Sequence, residues 1–231
     1  MTIDNLSVVL AERPIAEIIP GKTFAQRVNP APTRCDLKDG EILVEALYLS
    51  LDPTMRGWIE DTRSYLPPVQ IGEVMRGTSA ARVLASKSER AKEGDIVASF
   101  GGWSEYSILS EDQFEPTSSF LGVQEPQDYL STLGITSLTA WVGMTKIGKP
   151  KPGELVVVSG AAGATGSVAG QIAKICGARV VGIAGSDEKC QWLVKSLGFD
   201  HAINYKSKDF KDKFNKLTEK LIDVYFDNGK S

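Results

Sequence analysis

A glycine-rich stretch, Gly160-Ala161-Ala162-Gly163-Ala164-Thr165-Gly166, separates a segment that reads as a strand from one that reads as a helix. Before it, Glu154-Leu-Val-Val-Val-Ser159 is short, apolar and β-branched, the composition of a strand buried on both faces. After it, Ser167 to Cys176 sets Val168, Ile172 and Ile175 at helical spacing. A strand that turns sharply into a helix gathers unpaired N–H groups and the positive end of the helix dipole at one point. That point suits a phosphate. Aligned on its last glycine the stretch is Ala161-x-Gly163-x-x-Gly166, with Ala at the first position of the dinucleotide fingerprint. Gly163 would let the backbone approach a pyrophosphate across Ala164 and Thr165, and Gly166 would let the helix close on the strand.

The pattern from residue 127 onward alternates. Tyr129 to Ile147 is mostly helical in period, and Pro150-Lys-Pro-Gly153 turns the chain into the first strand. Strand 154–159, helix 167–176, strand 179–184, helix 187–197, a strand near 201–204, helix 209–220 and strand 222–226 then follow. Such alternation implies a parallel sheet with right-handed crossovers, in strand order 3-2-1-4. Residues 1–126 differ. Glu41–Ser50, Thr78–Ser86, Asp95–Phe100 and Trp103–Leu109 run or alternate apolar over strand lengths, with Gly94 and Gly101-Gly102 as punctuation. The expectation is an α/β chain of two domains, a small all-β domain (1–126) followed by a nucleotide-binding domain (127–231).

Composition narrows the function classes. A length of 231 residues with 42% hydrophobic content supports real cores, and a net charge of −3 offers no polyanion groove. The lysines of Lys206–Lys220 are interleaved with Asp209, Asp212 and Glu219, as on a solvated helix face. No run approaches the ~18 apolar residues of a membrane span. Met1-Thr-Ile-Asp-Asn5 lacks a basic segment leading into an apolar core. Cys35, Cys176 and Cys190 are scattered, which suggests reduced, partly buried thiols of a cytoplasmic protein. His201 is the single histidine, at the start of a strand, so a histidine triad or His-rich metal site is not expected.

The end of the second parallel strand tests which dinucleotide is meant. An NAD site places Asp or Glu there for the ribose 2′-hydroxyl. This chain has Ala184-Gly185-Ser186, with Lys189 one helical turn on. Gly185 leaves room, Ser186 can donate a hydrogen bond and Lys189 supplies a positive charge, all suited to a 2′-phosphate. Ser186 is also a natural N-cap, and Asp187 and Glu188 suit a helix N-terminus. The strand end favours NADPH over NADH.

With these residues in view, the chain resembles the zinc-independent medium-chain dehydrogenase/reductases, and among them the NADPH-dependent alkenal/one oxidoreductases. The matching segments are Ser50-Leu-Asp-Pro-Thr-Met-Arg-Gly57, Gly102-Trp-Ser-Glu-Tyr106, Leu138-Thr-Ala-Trp-Val-Gly143 and Ala161-Ala-Gly-Ala-Thr-Gly-Ser-Val168. Gly185-Ser-Asp-Glu-Lys189, Asn204-Tyr-Lys206 and Tyr225-Phe-Asp-Asn228 continue the series in the same order. The resemblance implies a GroES-like β domain before a Rossmann domain, reduction of the C=C bond of α,β-unsaturated aldehydes and ketones, and no metal. It carries the 2′-phosphate role to Lys189 and Tyr205 and the pyrophosphate to Gly163–Gly166. It places Asn228 by the cofactor, Pro53 by the nicotinamide, and Thr54 and Met55 by the substrate. Thr54 stands where many relatives have tyrosine. Leu47, Tyr48, Met55, Trp58 and Tyr65 are apolar candidates for an acceptor pocket.

A complete Rossmann sheet has about six strands, and this sequence supplies four. Relatives continue past the Asp-Asn pair with Val-Gly-Gly, whereas here Asp227-Asn228 leads to Gly229-Lys-Ser231. The expectation is a Rossmann domain truncated after its fourth strand. No catalytic residue is assigned, because the tyrosine usually credited at the enolate lies beyond this point. The fourth strand would expose its edge, with Val224 and Phe226 facing water, and could support homo-oligomers. Two alternatives stay open: a non-catalytic truncated isoform or remnant, and an NADPH quinone reductase. No nucleic-acid or membrane partner is expected.

Overall fold

The computed structural model describes residues 3–64, 66–119 and 125–229. The chain divides into two compact units, Met1–Leu130 and Ser131–Ser231. The first is a β unit and the second a parallel α/β unit, so the fold class read from the sequence holds.

In the first unit, β1 (Asp4–Leu10) and β2 (Phe24–Pro30) form an antiparallel hairpin with Val8 opposite Gln26. β3 (Ile42–Leu49), the single-turn helix α1 (Met55–Trp58), β4 (Ser79–Ser86), β5 (Ile96–Ser99), β6 (Tyr106–Leu109) and β7 (Phe114–Pro116) follow. The five strands from β3 onward make an antiparallel sheet in the order β6-β3-β4-β5-β7. Period-two alternation sends Ile42 and Val44 into a core with Val83, Val97 and Leu109, while Leu43 packs with Leu37 and Ala85. Register shifts at Leu43/Val44 and Ala46/Tyr48 break the β3–β4 ladder, the kind of irregularity that curls a sheet. A third cluster gathers Leu10, Met55, Ile59, Val69 and Met75, with Phe24, Trp58 and Trp103 against it.

β1, β2 and β7 escaped the sequence reading. β2 is exposed along nearly its whole length and, among the described residues, pairs only with β1, so no burial alternation marks it. Cys35 is exposed rather than partly buried, whereas Cys176 is half-buried and Cys190 buried.

In the second unit, α2 (Ile135–Val142) runs into a π-helical turn at Gly143–Gly148. β8 (Leu155–Val158), α3 (Ala164–Ile175), β9 (Arg179–Ala184), α4 (Asp187–Leu197), β10 (His201–Asn204), α5 (Phe210–Leu217) and β11 (Val224–Phe226) then alternate. The sheet is parallel in the order β10-β9-β8-β11, the 3-2-1-4 order expected. Every residue of β8 is buried, because helices cover both faces of a central parallel strand. Val156 and Val158 pack with Ala140, Met144, Ala169 and Ala173, while Leu155 and Val157 face Phe210, Phe214 and Leu217 of α5.

Several boundaries differ from expectation. The region before β8 is not one helix but a 3₁₀ turn at Pro126–Tyr129, α2 and the π turn. α3 begins at Ala164 rather than Ser167, because Gly163 takes the extended N-cap conformation (ψ 170°) and the turn residues themselves enter the helix. α5 stops at Leu217, three residues short of the expected 220, since Thr218 caps it with N–H bonds to Phe214 and Asn215.

β11 lies at the sheet edge, yet Val224 and Phe226 do not face water. Both are half-buried in the cluster that holds Met144, under the π turn. A β-carbon at Gly143 would come within 2.6 Å of Phe226 Cε2, and one at Gly148 within 3.0 Å of Val224 Cγ1. Alternation leaves Tyr225 as the outward residue, 51% exposed. No helix among the described residues is long and apolar enough to cross a membrane.

Candidate functional site

The glycine turn sits at the C-terminal end of β8 and opens α3. Gly160 has φ +53°, a left-handed conformation that disfavours a side chain, and a β-carbon there would meet the Asn228 carbonyl at 2.7 Å. Its carbonyl accepts Gly163 N–H at 2.9 Å, and Ala161 N–H donates to Ile183 O on β9 at 3.0 Å. Gly166 is packed so closely on Gly160 and Ala161 that a β-carbon would overlap the Gly160 carbonyl. The first intrahelical bond of this end runs from Ser167 N to Gly163 O. The N–H groups of Ala164, Thr165 and Gly166 therefore have no acceptor among the described residues, and Gly163 and Ala164 are exposed. Three free donors at the start of a 12-residue helix form an anion cradle.

The neighbouring corner is the end of β9. Ser186 caps α4, its Oγ accepting Lys189 N–H at 3.3 Å, which fixes the first turn that carries Lys189. Asn204 Nδ2 donates to Asp187 Oδ1 at 2.9 Å, tying that acid to the end of β10. Tyr205 leans on Gly185, where a β-carbon would lie 3.2 Å from Tyr205 Cε1. The Tyr205 ring is 54% exposed, with Lys206 Nζ 5.7 Å from its centroid. Gly185, Ser186, Lys189 and Tyr205 thus share one corner, and the last residue of β9 is Ala184 rather than an acid.

On the other side of β8, Asp227 and Asn228 follow β11. Ser159 Oγ donates to Asp227 Oδ1 at 2.5 Å and accepts the N–H groups of Asn228 (2.8 Å) and Gly229 (3.0 Å). The Ser159 hydrogen bond, then the Gly229 N–H, hold the Asp227 carboxyl below its ordinary value. A β-carbon at Gly163 would lie 3.8 Å from Asn228 Nδ2, so Asn228 borders the glycine turn. Ser159 and Asp227 were not singled out in the sequence. A hydroxyl after a buried strand carries no signal until a neighbouring strand brings it partners.

Pro53, Thr54 and Met55 belong to the first unit. Asp52 Oδ1 accepts Thr54 N–H at 2.7 Å and Asp52 O accepts Met55 N–H at 3.0 Å, turning the chain into α1. Beside this turn lies a cavity of ≈ 300 Å³ lined by Ile18, Phe24, Leu51, Asp52, Pro53, Met55, Arg56, Ile59, Met75 and Trp103. Thr54 is exposed and outside that lining. Of the apolar candidates among the described residues, Met55 alone lines it. Tyr48 is 47% exposed, Leu47 is not in the lining, and Trp58 packs in the core beneath Arg76. Tyr65 lies outside the described residues. The indole Nε1 of Trp103 is buried against Gly77, without a hydrogen-bond partner among the described residues. Among the described residues no three His, Cys, Asp or Glu side chains gather as a metal site would require.

Two family profiles match the chain: "N-terminal domain of oxidoreductase" over residues 7–117 and "Zinc-binding dehydrogenase" over residues 164–229. The NADPH-dependent curcumin reductase of Escherichia coli (strain K12) is 40% identical over 95% of this chain and 62% of its own length. Prostaglandin reductase 1 of Bos taurus is 43% identical over 83% of this chain and 56% of its own. The crystal structure of CurA from Vibrio vulnificus in complex with NADPH superposes with a TM-score of 0.87 at 40% identity. That match covers 98% of this chain and 65% of that one, so the chain spans less than two thirds of each of these relatives. With both family profiles and the fold in agreement, the chain belongs to the medium-chain dehydrogenase/reductase family.

Proposed function

We propose that the chain carries the NADPH site of an oxidoreductase that reduces the C=C bond of α,β-unsaturated aldehydes and ketones. The observation that carries this reading is the pairing of an anion cradle on α3 with a β9 strand that ends in Ala184 rather than an acid, beside Ser186, Lys189 and Tyr205. The fit is specific in shape. Gly160 and Gly166 leave no room for a β-carbon against the turn, and three N–H groups at the start of α3 have no acceptor among the described residues. Gly163, Ala164, Thr165 and Gly166 would hold the pyrophosphate, and Gly185, Ser186, Lys189 and Tyr205 the 2′-phosphate. Asn228 would border the nicotinamide half. The name of the Escherichia coli relative and the NADPH complex of the Vibrio vulnificus one support the choice of cofactor.

When bound, NADPH supplies a hydride. The chain's own part is to orient the cofactor and to keep the acceptor in a dry site. The cavity beside Pro53 and Met55 suits an apolar acceptor, with Met55 as a contact and Thr54 at its exposed approach. Zinc independence belongs to the proposal. The one histidine, His201, begins β10 in the second unit, and no donor cluster forms among the described residues. A reducing compartment, the cytoplasm, suits three unpaired thiols. Self-association would use the free edge of β11.

The test is NADPH oxidation with a 2-alkenal, a saturated aldehyde and a quinone side by side. The proposal expects consumption with the alkenal alone or well above the others. A quinone that outruns the alkenal would move the reading to a quinone reductase.

A further inference from the structure

We propose that Ser159 is a positioning residue whose hydroxyl latches residues 227–229 across the glycine turn and so shapes the nicotinamide-side half of the cofactor site. This rests on the NADPH reading of that turn.

Ser159 is 8% exposed and follows the last residue of β8. Its main-chain N–H donates to Phe226 O at 3.0 Å, continuing the β8–β11 pairing by one residue. Its side chain then serves three partners at once: it donates to Asp227 Oδ1 and accepts from Asn228 N and Gly229 N. Gly229 N also donates to Asp227 Oδ1 at 3.2 Å, which closes the loop on itself. The result holds the Asn228 carbonyl over Gly160 and its carboxamide beside Gly163.

Topology says which half of a dinucleotide this affects. β9 and β11 flank β8 on opposite sides. A dinucleotide crosses the end of such a sheet where the strand order reverses. The corner with Ser186, Lys189 and Tyr205 lies at the end of β9 and takes the adenosine side. The latch lies at the end of β11 and takes the other. Loss of the hydroxyl frees residues 227–229 without touching the β9 corner.

The experiment is equilibrium titration of the 231-residue chain and its variants with NADPH, NADH and adenosine 2′,5′-bisphosphate. Ser159→Ala should weaken NADPH and NADH alike by about tenfold and leave the bisphosphate within about twofold. Asp227→Ala changes an exposed side chain and should show the same split, smaller in size. Hydrogen exchange should quicken at the Asn228 and Gly229 amides in Ser159→Ala. If the bisphosphate weakens as much as the dinucleotides, Ser159 is merely structural and the latch is overturned. Unchanged dinucleotide affinity overturns it as well. A parent chain that binds none of the three ligands overturns the NADPH reading itself, a result distinct from either.

Discussion

The ring edge of Phe199 rests on Gly170 so closely that a β-carbon on Gly170 would overlap it. The same ring lies 3.0 Å from the place a β-carbon would take on Gly182. α3 therefore packs on β9 through two bare glycines with a phenyl ring wedged between them, and Phe199 is only 2% exposed. Gly170→Ala should lower unfolding free energy by about 1–3 kcal/mol, seen as a lower urea midpoint. Phe199→Leu in that background should recover part of the loss. An unchanged midpoint would contradict the close packing.

Trp103 offers the opposite prediction. Its buried Nε1–H has no partner among the described residues, so the fold bears the desolvation of that group without a hydrogen bond in return. Replacing the indole by phenyl removes both volume and the orphan donor. The two effects oppose, and Trp103→Phe should cost less than about 1.5 kcal/mol despite the size of the residue. A loss near that of an ordinary large core truncation would show that the N–H is satisfied in solution.

Asp200 links stability to pH. Its carboxylate accepts Lys174 Nζ at 2.9 and 2.8 Å and Val180 N–H at 2.6 Å, joining α3, β9 and the approach to β10. Desolvation pushes this carboxyl upward, but Lys174 and the Val180 N–H outweigh it, and it titrates below its ordinary value of 3.8. A lowered folded value stabilises above the unfolded one and is lost as pH falls through the folded one. Asp200→Asn should therefore cost about 1 kcal/mol or less at neutral pH, the pair being partly exposed, and its deficit should shrink below about pH 3.8. Urea midpoints of both chains across that range check it. A deficit independent of pH would contradict the assignment.

The α/β half was largely legible in the sequence because its signals are local. Four consecutive buried residues in β8 and the glycines after them mark a central strand entering a helix. Ser186 shows its capping role by position alone. The start of α3 was less legible, since Thr165 and Gly166 are poor helix formers that tertiary packing draws into a helix. The cavity beside Met55 was barely legible. Phe24, Ile59, Met75 and Trp103 come from separate segments that only the folded β unit brings together, whereas Tyr48 and Trp58 looked as suitable by type. Tyr205 against Gly185 is a contact between two strand ends, which spacing does not reveal.

The central claim is that the corner at the end of β9 reads a 2′-phosphate. Lys189 occupies the first turn of α4, held there by the Ser186 cap, and among the described residues it enters no ion pair within 4.0 Å. The most direct measurement is the affinity of the parent chain and Lys189→Ala for NADPH and NADH. The account predicts that NADPH weakens by about tenfold or more while NADH changes by less than about twofold. Equal weakening of the two cofactors would contradict it.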